Sequence, residues 1–167
     1  MSLRARHTIS EMQKRKNRSR AGFSLVELLI VIAIILIILG VALPRLNQAR
    51  ITANEMSAVR SISVIHTAEQ QYMSQFGKFA SSLEELGPPT SGTPNATAAD
   101  LLSGDLAKGE KQGYHFTLQA NPAGYTINAN PVGFGTSGKN TYFSDQSMTI
   151  RRNNGQEPAG PNSPELK

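Results

Sequence analysis

The chain has 167 residues, a net charge of +5 and no cysteine. This length predicts one small globular domain with accessory segments, and the lack of cysteine excludes a disulfide framework and a thiolate metal site. Residues 1–22 carry seven basic residues and one acidic residue, whereas residues 23–167 carry ten basic and eleven acidic residues. Without the basic leader the protein is nearly neutral, which argues against nucleic-acid binding through bulk charge.

A long apolar segment follows the leader. Residues 23–43 read FSLVELLIVIAIILIILGVAL and contain one charged residue, Glu27. As a helix, the segment is about 31 Å long, which matches the hydrocarbon core of a bilayer. Basic residues before it place the leader in the cytoplasm. The segment is longer than a signal-peptide core and lacks a small-residue cleavage site after it, so we predict a membrane span that is kept.

Glu27 has two interpretations. An interfacial carboxylate without function is tolerable here, because the N-terminus of a helix favours a negative charge. Alternatively, Glu27 pairs with a cation from another chain, since ionisable groups in apolar segments usually pair. The residues alone leave both interpretations open.

The span is followed by a predicted amphipathic helix over residues 44–77. Its apolar residues recur every three or four positions, and Gly77 is a suitable C-terminal residue. Pro44 has no N–H for the carbonyl of Gly40, so the helix is weakest between these two residues. The alternatives are a bend or melted turn there, or an ordinary helix end at the membrane surface.

The remaining residues predict a loop, a sheet and a tail. Residues 78–112 form an αβ loop with one short helix capped by Ser81 or Ser82 and a turn of helix around residues 98–106. Alternating and β-branched residues predict an antiparallel sheet within residues 113–152. Its strands are predicted over residues 114–120, 125–132, 141–145 and 148–152. Residues 153–167 contain three prolines and predict a flexible tail.

Catalytic and metal-binding motifs are weak throughout the chain. Gly133, Gly135 and Gly138 spell a dinucleotide-binding pattern, but a strand follows where the motif needs a helix, so we predict a hairpin loop. The three histidines lack metal-ligand spacing, and no nucleophile motif is present. We therefore predict no enzyme activity, no cofactor and no metal. Asn95 lies in an Asn-Ala-Thr glycosylation pattern.

Residues 22–44, GFSLVELLIVIAIILIILGVALP, resemble the N-terminal signature of type IV pilins and of the pseudopilins of type II secretion. The resemblance implies that prepilin peptidase cleaves after Gly22 and methylates the new N-terminus at Phe23. It also implies that Glu27 neutralises the terminal amine of a neighbouring subunit during assembly. Pro44 matches a helix-kinking proline of the family.

The sequence departs from the family pattern at particular residues. Leu36 stands where many pilins have a glycine in the span, and Gly40 is the candidate substitute for a kink or melted turn. The cysteine pair of some pilins is absent. The C-terminal residues resemble the terminal hairpin of some pilins. In the turn of that hairpin, Ser147 and Met148 stand where a glycine would fit more easily.

The resemblance implies an α+β pilin fold, in which a long N-terminal helix packs on an antiparallel sheet of three or four strands. The expected function is that of a structural subunit, made as an inner-membrane precursor with a periplasmic C-terminus and polymerised into a helical, homo-oligomeric pilus. Expected partners are prepilin peptidase, an inner-membrane assembly platform and minor pilins. The alternatives are the major pseudopilin of a type II secretion system and, more remotely, an uncleaved single-span binding module.

Overall fold

A computed structural model describes residues 22–121 and 124–166. The predicted leader therefore lies outside the described residues, apart from Gly22. The chain divides into two compact units, one up to Gly40 and one from Val41. Each unit is described by itself below.

Helix α1 spans Leu25–Phe76 and contains 52 residues. It ends as predicted at Gly77, whose N–H donates to the Met73 carbonyl oxygen at 2.9 Å. The φ angle of Gly77 is +71°, a left-handed conformation that glycine adopts without the steric cost of a Cβ atom.

Pro44 lies inside α1. The ring removes the N–H that would otherwise bond to the Gly40 carbonyl, yet the helical backbone continues on both sides. The interpretation of Pro44 as a helix end is therefore wrong for this structure. A kink or melted turn at Gly40 and Pro44 in an assembled filament stays a prediction.

The two parts of α1 differ in exposure. Every residue from Gly22 to Arg50 is exposed, whereas one face of the helix is buried from Ile51 onward. The buried α1 residues are Ile51, Ala58, Ser61, Ile62, Ile65, His66, Ala68, Glu69 and Tyr72. Each of them lies three, four or seven positions from another, which places them along one stripe of the helix. We call residues 51–166, which include this stripe, the head.

The head contains a five-stranded antiparallel sheet with the strands in chain order. The strands are β1 (Glu110–Lys111), β2 (Tyr114–Asn121), β3 (Gly124–Pro131), β4 (Thr141–Asp145) and β5 (Arg151–Asn153). The central pair, β2 and β3, is in register from Tyr114 opposite Pro131 to Asn121 opposite Gly124. This architecture confirms the α+β class, with five strands instead of three or four.

The core of the head lies between α1 and the sheet. Alternate residues of β2 and β3, such as Phe116 and Ile127, are buried together with Ile62, Ile65 and Tyr72 of α1. Period-two alternation on the strands and period 3.6 on the helix thus meet in one apolar layer.

The predicted strands differ from the observed ones mainly at the edges of the sheet. We did not predict β1, because two residues carry no detectable alternation. Strand β5 begins at Arg151, not at residue 148, because Met148 has a φ angle of +61° and belongs to the preceding turn. The glycine-rich segment between β3 and β4 is a hairpin connection, as predicted.

The αβ loop differs from its prediction. The expected short helix after residue 80 is a set of hydrogen-bonded turns in which Leu86 N–H donates to the Leu83 carbonyl at 3.2 Å. Ser81 N–H and Oγ–H both donate to Glu85, so the serine bonds four residues ahead instead of forming a capping box. The helical turn of this region is α2, Gly104–Ala107.

The C-terminal residues, predicted to be flexible, pack against the sheet in this structure. Leu166 N–H donates to the Ile150 carbonyl at 2.8 Å, and Arg151 pairs with Glu165 at 3.1 Å. Thr141 donates to the Glu157 carbonyl, and Ala159 is buried. Low apolar content predicted a mobile tail, but backbone pairing beside β5 supplies contacts that composition does not reveal.

Candidate functional site

The N-terminus of α1 carries a capping box. Ser24 precedes the first helical residue, and its Oγ accepts a hydrogen bond from Val26 N–H at 3.3 Å. Glu27 Oε2 in turn accepts from Ser24 N–H at 3.1 Å. These two bonds satisfy backbone donors that the first helical turn leaves without a partner.

The capping box gives Glu27 a role within its own chain. Neither interpretation of Glu27 included the Ser-x-x-Glu spacing of Ser24 and Glu27, although that spacing is a recognised helix-start signal. The carboxylate also lies in the first turn of α1, where the helix dipole favours a negative charge. One carboxylate oxygen is engaged by Ser24, and this contact fixes the position of the carboxylate at the helix end.

The predicted cleavage site lies just outside the helix. Gly22, Phe23 and Ser24 are non-helical and exposed, and Phe23 is 88% exposed. A peptide bond in this conformation is open to a protease without unwinding of a helix. Hydrolysis between Gly22 and Phe23 would leave a new α-amine one residue before the capping box.

The structure separates the predicted site residues into two groups. Gly22, Phe23 and Glu27 lie together at the start of α1. Gly40 follows Glu27 by 13 residues, which is about 20 Å along a helix. Gly40 and Pro44 therefore cannot take part directly in chemistry at the N-terminus, and any contribution they make is to the shape of the helix.

A buried histidine connects α1 to the sheet. His66 Nε2 lies 2.8 Å from Ser144 Oγ, and Nδ1 lies 2.7 Å from the Tyr125 hydroxyl. Ser144 donates its own hydrogen to the Thr149 carbonyl at 3.0 Å, so it accepts from His66. We assign the neutral tautomer with hydrogen on Nε2 and with Nδ1 accepting from Tyr125. Burial lowers the pKa of His66, against the opposing effect of Asp145.

A buried carboxylate anchors the αβ loop. Glu69 is fully buried in α1, and its Oε2 accepts from Ala80 N–H at 3.0 Å. Within the described residues, Oε1 has no hydrogen-bond partner. Burial raises the pKa of Glu69 to about 7, against the lowering effect of the Ala80 bond, with Glu85 adding to the increase. We made no prediction for Glu69 from the sequence.

The described residues offer little for metal or catalytic chemistry. Among them, no group of three or more His, Cys, Asp and Glu side chains is placed to hold a metal ion. His115 lies 3.9 Å from Glu110 at the exposed edge of the sheet.

Asn95 accepts hydrogen bonds from Thr97 N–H at 2.9 Å and from Thr97 Oγ1 at 2.7 Å. Glycosylation of this exposed asparagine stays a prediction.

Comparisons with known proteins agree with the N-terminal features. Residues 17–43 match the family described as the prokaryotic N-terminal methylation motif. The chain is 27% identical over 92 residues to the type IV major pilin protein PilA of Myxococcus xanthus (strain DK1622). That alignment covers 54% of this chain and 42% of the relative, so less than half of the relative's length is matched. No solved structure matches the chain significantly.

The fold and the motif together define a class of proteins. An α+β head follows an apolar helix of membrane-spanning type, and that helix carries the N-terminal methylation motif. The motif and the similarity to a type IV major pilin together support a type IV pilin-like family. The motif and the apolar helix fit an inner-membrane precursor of the pilin type.

Proposed function

We propose that this protein is the structural subunit of a type IV pilus. It is made as an inner-membrane precursor, cleaved between Gly22 and Phe23, methylated at Phe23 and polymerised into a helical filament. The observation that supports this proposal best is that every apolar residue from Phe23 to Ala49 is exposed. Such a surface needs lipid in the precursor and neighbouring subunits after the protein leaves the bilayer.

In the proposed assembly step, the new amine of Phe23 on one subunit pairs with Glu27 of a neighbour. An α-amine has an ordinary pKa of about 7.7 to 8.0 and is mostly charged at neutral pH. The pair places opposite charges in an apolar layer, where the interaction between them is poorly screened. The capping bond from Ser24 to Glu27 holds the carboxylate at the helix end where an incoming subunit would meet it.

The proposed partners follow from this sequence of steps. Prepilin peptidase removes the leader, and an inner-membrane assembly platform with minor pilins adds the subunit to the filament. The major pseudopilin of a type II secretion system would undergo the same processing. Electron microscopy of a deletion strain, together with an assay of protein secretion, separates these two functions. Loss of surface filaments supports a pilus, whereas loss of secretion with unchanged surface filaments supports a pseudopilus.

Mass spectrometry of the N-terminal peptide tests the processing step. The assembled protein should begin at a methylated Phe23, and Gly22→Ser should leave the precursor uncut in the membrane. Gly160→Ser is the matched control, because a Cβ at Gly160 meets no atom within 4 Å and the residue follows Gly22 by 138 positions in the sequence. Filaments that begin at Phe23 in the Gly22→Ser variant would contradict the proposed cleavage.

A further inference from the structure

A short segment of the αβ loop covers the buried carboxyl group of Glu69. We call this segment, residues 78–82, the cover. Ala80, at its centre, is completely buried, and its N–H donates to Glu69 Oε2 at 3.0 Å. Among the described residues, this is the one hydrogen bond that joins the cover to α1. The polar part of this contact therefore rests on a single carboxyl group.

The other contacts of the cover are few. Phe79 packs edge-on against Tyr125 of β3, with 4.9 Å between the ring centroids. Ser81 N–H and Oγ–H donate to Glu85, so these bonds join the cover to the rest of its own loop. Gly77, just before the cover, has a φ angle of +71° and no atom within 4 Å of an added Cβ. The cover can thus move away from α1 at this glycine while the backbone bonds of the sheet stay intact.

An ionised Glu69 is poorly satisfied beneath the closed cover. A carboxylate offers about four lone-pair sites for hydrogen bonds. Oε2 accepts one bond from Ala80, and Oε1 has no partner among the described residues. Glu85, whose charge acts on Glu69, is also negative when ionised. Because an unpaired buried charge is costly, ionisation favours a state in which the cover moves aside and water reaches the carboxylate.

We propose that residues 78–82 form a proton-controlled latch of the head. The cover closes over the neutral carboxyl group of Glu69 and moves away about Gly77 when that group ionises. The open state exposes Phe79 and the part of α1 around Glu69 to solvent. The inference concerns the head alone and does not depend on the proposed pilus function.

The direction of the pH response follows from the linkage between opening and proton binding. Burial raises the pKa of Glu69 to about 7 in the closed head, compared with 4.5 for a solvated glutamate. Between these two values the open state releases a proton that the closed state keeps. The opening constant therefore rises nearly tenfold per pH unit in this window and levels off above pH 7. From about pH 5 to about pH 8, the total increase is roughly 70-fold.

The other ionisable groups do not produce this response. Those around Glu69 are Tyr72 and His66 of α1, Lys78 and Glu85 of the αβ loop, Tyr125 of β3 and Asp145 of β4.

Their pKa values lie outside the window or act in the opposite direction. Burial raises the pKa values of the two tyrosines, to about 12 for Tyr125. Burial is the largest influence on Glu85, but the hydrogen bonds from Ser81 together outweigh it and lower the pKa of Glu85. Burial lowers the pKa of His66, against the opposing effect of Asp145. Protonation of His66 destabilises the head at low pH, so its effect has the opposite sign.

Amide hydrogen exchange tests the latch. Exchange at the Ala80 amide is followed by NMR, in the full chain in micelles, from about pH 5 to about pH 8. After division by the intrinsic exchange rate, exchange at Ala80 should increase roughly 70-fold over this range. The amide of Ile127, a fully buried residue paired with Ser144 in the sheet, is the internal reference. It should exchange more slowly than Ala80 at the higher pH.

Three variants identify the group and the segment involved. Glu69→Gln keeps an acceptor for Ala80 but cannot ionise, so exchange at Ala80 should no longer depend on pH after the same correction. Glu84→Gln, an exposed position of the same loop, is the matched control and should keep the response. Phe79→Ala removes packing of the cover and leaves the carboxyl group intact. In this variant Ala80 should exchange faster at every pH with the same pH dependence, which provides a test that is independent of how Glu69→Gln folds.

Other results would overturn the latch. Equal corrected exchange at Ala80 and Ile127 at every pH would assign the response to unfolding of the whole head. Exchange at Ala80 that does not vary with pH, or a Glu69 carboxyl group that titrates near 4.5 by NMR, would remove the proton control. An unchanged response in Glu69→Gln would assign the control to another group. None of these experiments measures filament assembly, so a failed latch leaves the proposed function as it stands.

Discussion

The two parts of α1 share one helical conformation, yet the surroundings of their apolar side chains are opposite. Before Ile51, isoleucine, leucine and valine side chains are exposed, whereas Ile62 and Ile65 farther along are completely buried. The buried part has its apolar residues on one stripe that the sheet covers, whereas residues 28–43 of the exposed part are apolar on every side. A helix that is apolar all round needs an environment supplied from outside the chain, so the first part depends on lipid or on other subunits and the second part does not.

The largest effect that we expect concerns Glu27, the one ionisable residue among residues 23–43. Glu27→Gln keeps an acceptor for Ser24 N–H, because glutamine also serves in a capping box, but removes the charge. We expect the precursor to remain stable in the membrane and the yield of filaments, counted by electron microscopy, to fall to background.

Ser24→Ala is the matched control for Glu27→Gln. It removes the serine cap, which costs about 1 kcal/mol of helix stability, but keeps the carboxylate, so filaments should still form. Filaments at the normal yield from Glu27→Gln would remove the charge from the assembly mechanism. Their loss in Ser24→Ala alone would instead show that the cap is the essential contact.

A core substitution tests the difference in surroundings between the two parts of α1. Ile65→Ala leaves a cavity between α1 and the sheet and should cost about 2 to 5 kcal/mol of the free energy of unfolding of the head. Ile35→Ala makes the same change in the exposed part and should alter this free energy by less than about 0.5 kcal/mol. Chemical denaturation of the full chain in micelles measures both. Equal losses of unfolding free energy would mean that Ile35 supports the head as much as Ile65 does.

A buried ionisable group in α1 gives the stability of the head a pH dependence. Glu69 has a pKa of about 7 in the folded protein and 4.5 otherwise, so between these values the folded state keeps a proton that the unfolded state has lost. Stability therefore falls as the pH rises through this window, by about 3 kcal/mol in total. His66, whose pKa is lowered, acts in the opposite direction and loses stability as the pH falls below 6.5.

Glu69→Gln isolates the glutamate contribution. Glutamine resembles the protonated side chain at every pH. The stability of the variant relative to the natural protein should therefore increase as the pH rises from about 5 to about 8. Denaturation curves at both pH values measure the change. Glu84→Gln, an exposed glutamate of the αβ loop, is the control and should leave the pH dependence unaltered. The same pH dependence in Glu69→Gln and the natural protein would exclude Glu69 as its source.

The elements with long, regular patterns could be predicted from the sequence. Periodicity and a terminal glycine located the end of α1, and alternation located β2, β3 and β4 to within one residue. The membrane-spanning character of residues 23–43 followed from their length and composition alone. These features are local, because each depends on the order of side chains within one element.

The features that we did not predict depend on contacts between distant residues. His66 meets Tyr125 and Ser144 only because α1 crosses the sheet, and Glu69 is buried only because the αβ loop folds over it. The packed tail depends on backbone pairing with Ile150 and Arg152, which composition cannot reveal. The capping box of Ser24 is different, because its Ser-x-x-Glu signal is local to the sequence and we did not predict it.

The smallest expected effect comes from replacing a glycine with alanine, once in the exposed part of α1 and once just after its buried part. Gly40 and Gly77 each have no atom within 4 Å of an added Cβ, so packing does not distinguish them. Gly40 is helical, and alanine there should stabilise the local helix by about 1 kcal/mol. Gly77 has a left-handed φ of +71°, and alanine there should cost about 1 to 2 kcal/mol.

The two glycine variants need different measurements, because Gly40→Ala changes the stability of the helix near Pro44 and Gly77→Ala changes the stability of the head. Amide hydrogen exchange around Pro44, in micelles, should slow in Gly40→Ala, while thermal unfolding of the head stays the same. Gly77→Ala should lower the unfolding temperature of the head and leave exchange around Pro44 unaltered. If Gly40 also permits a melted turn during assembly, Gly40→Ala should slow filament growth. A lower unfolding temperature in Gly40→Ala would mean that the exposed part of α1 contributes to the head, contrary to the comparison.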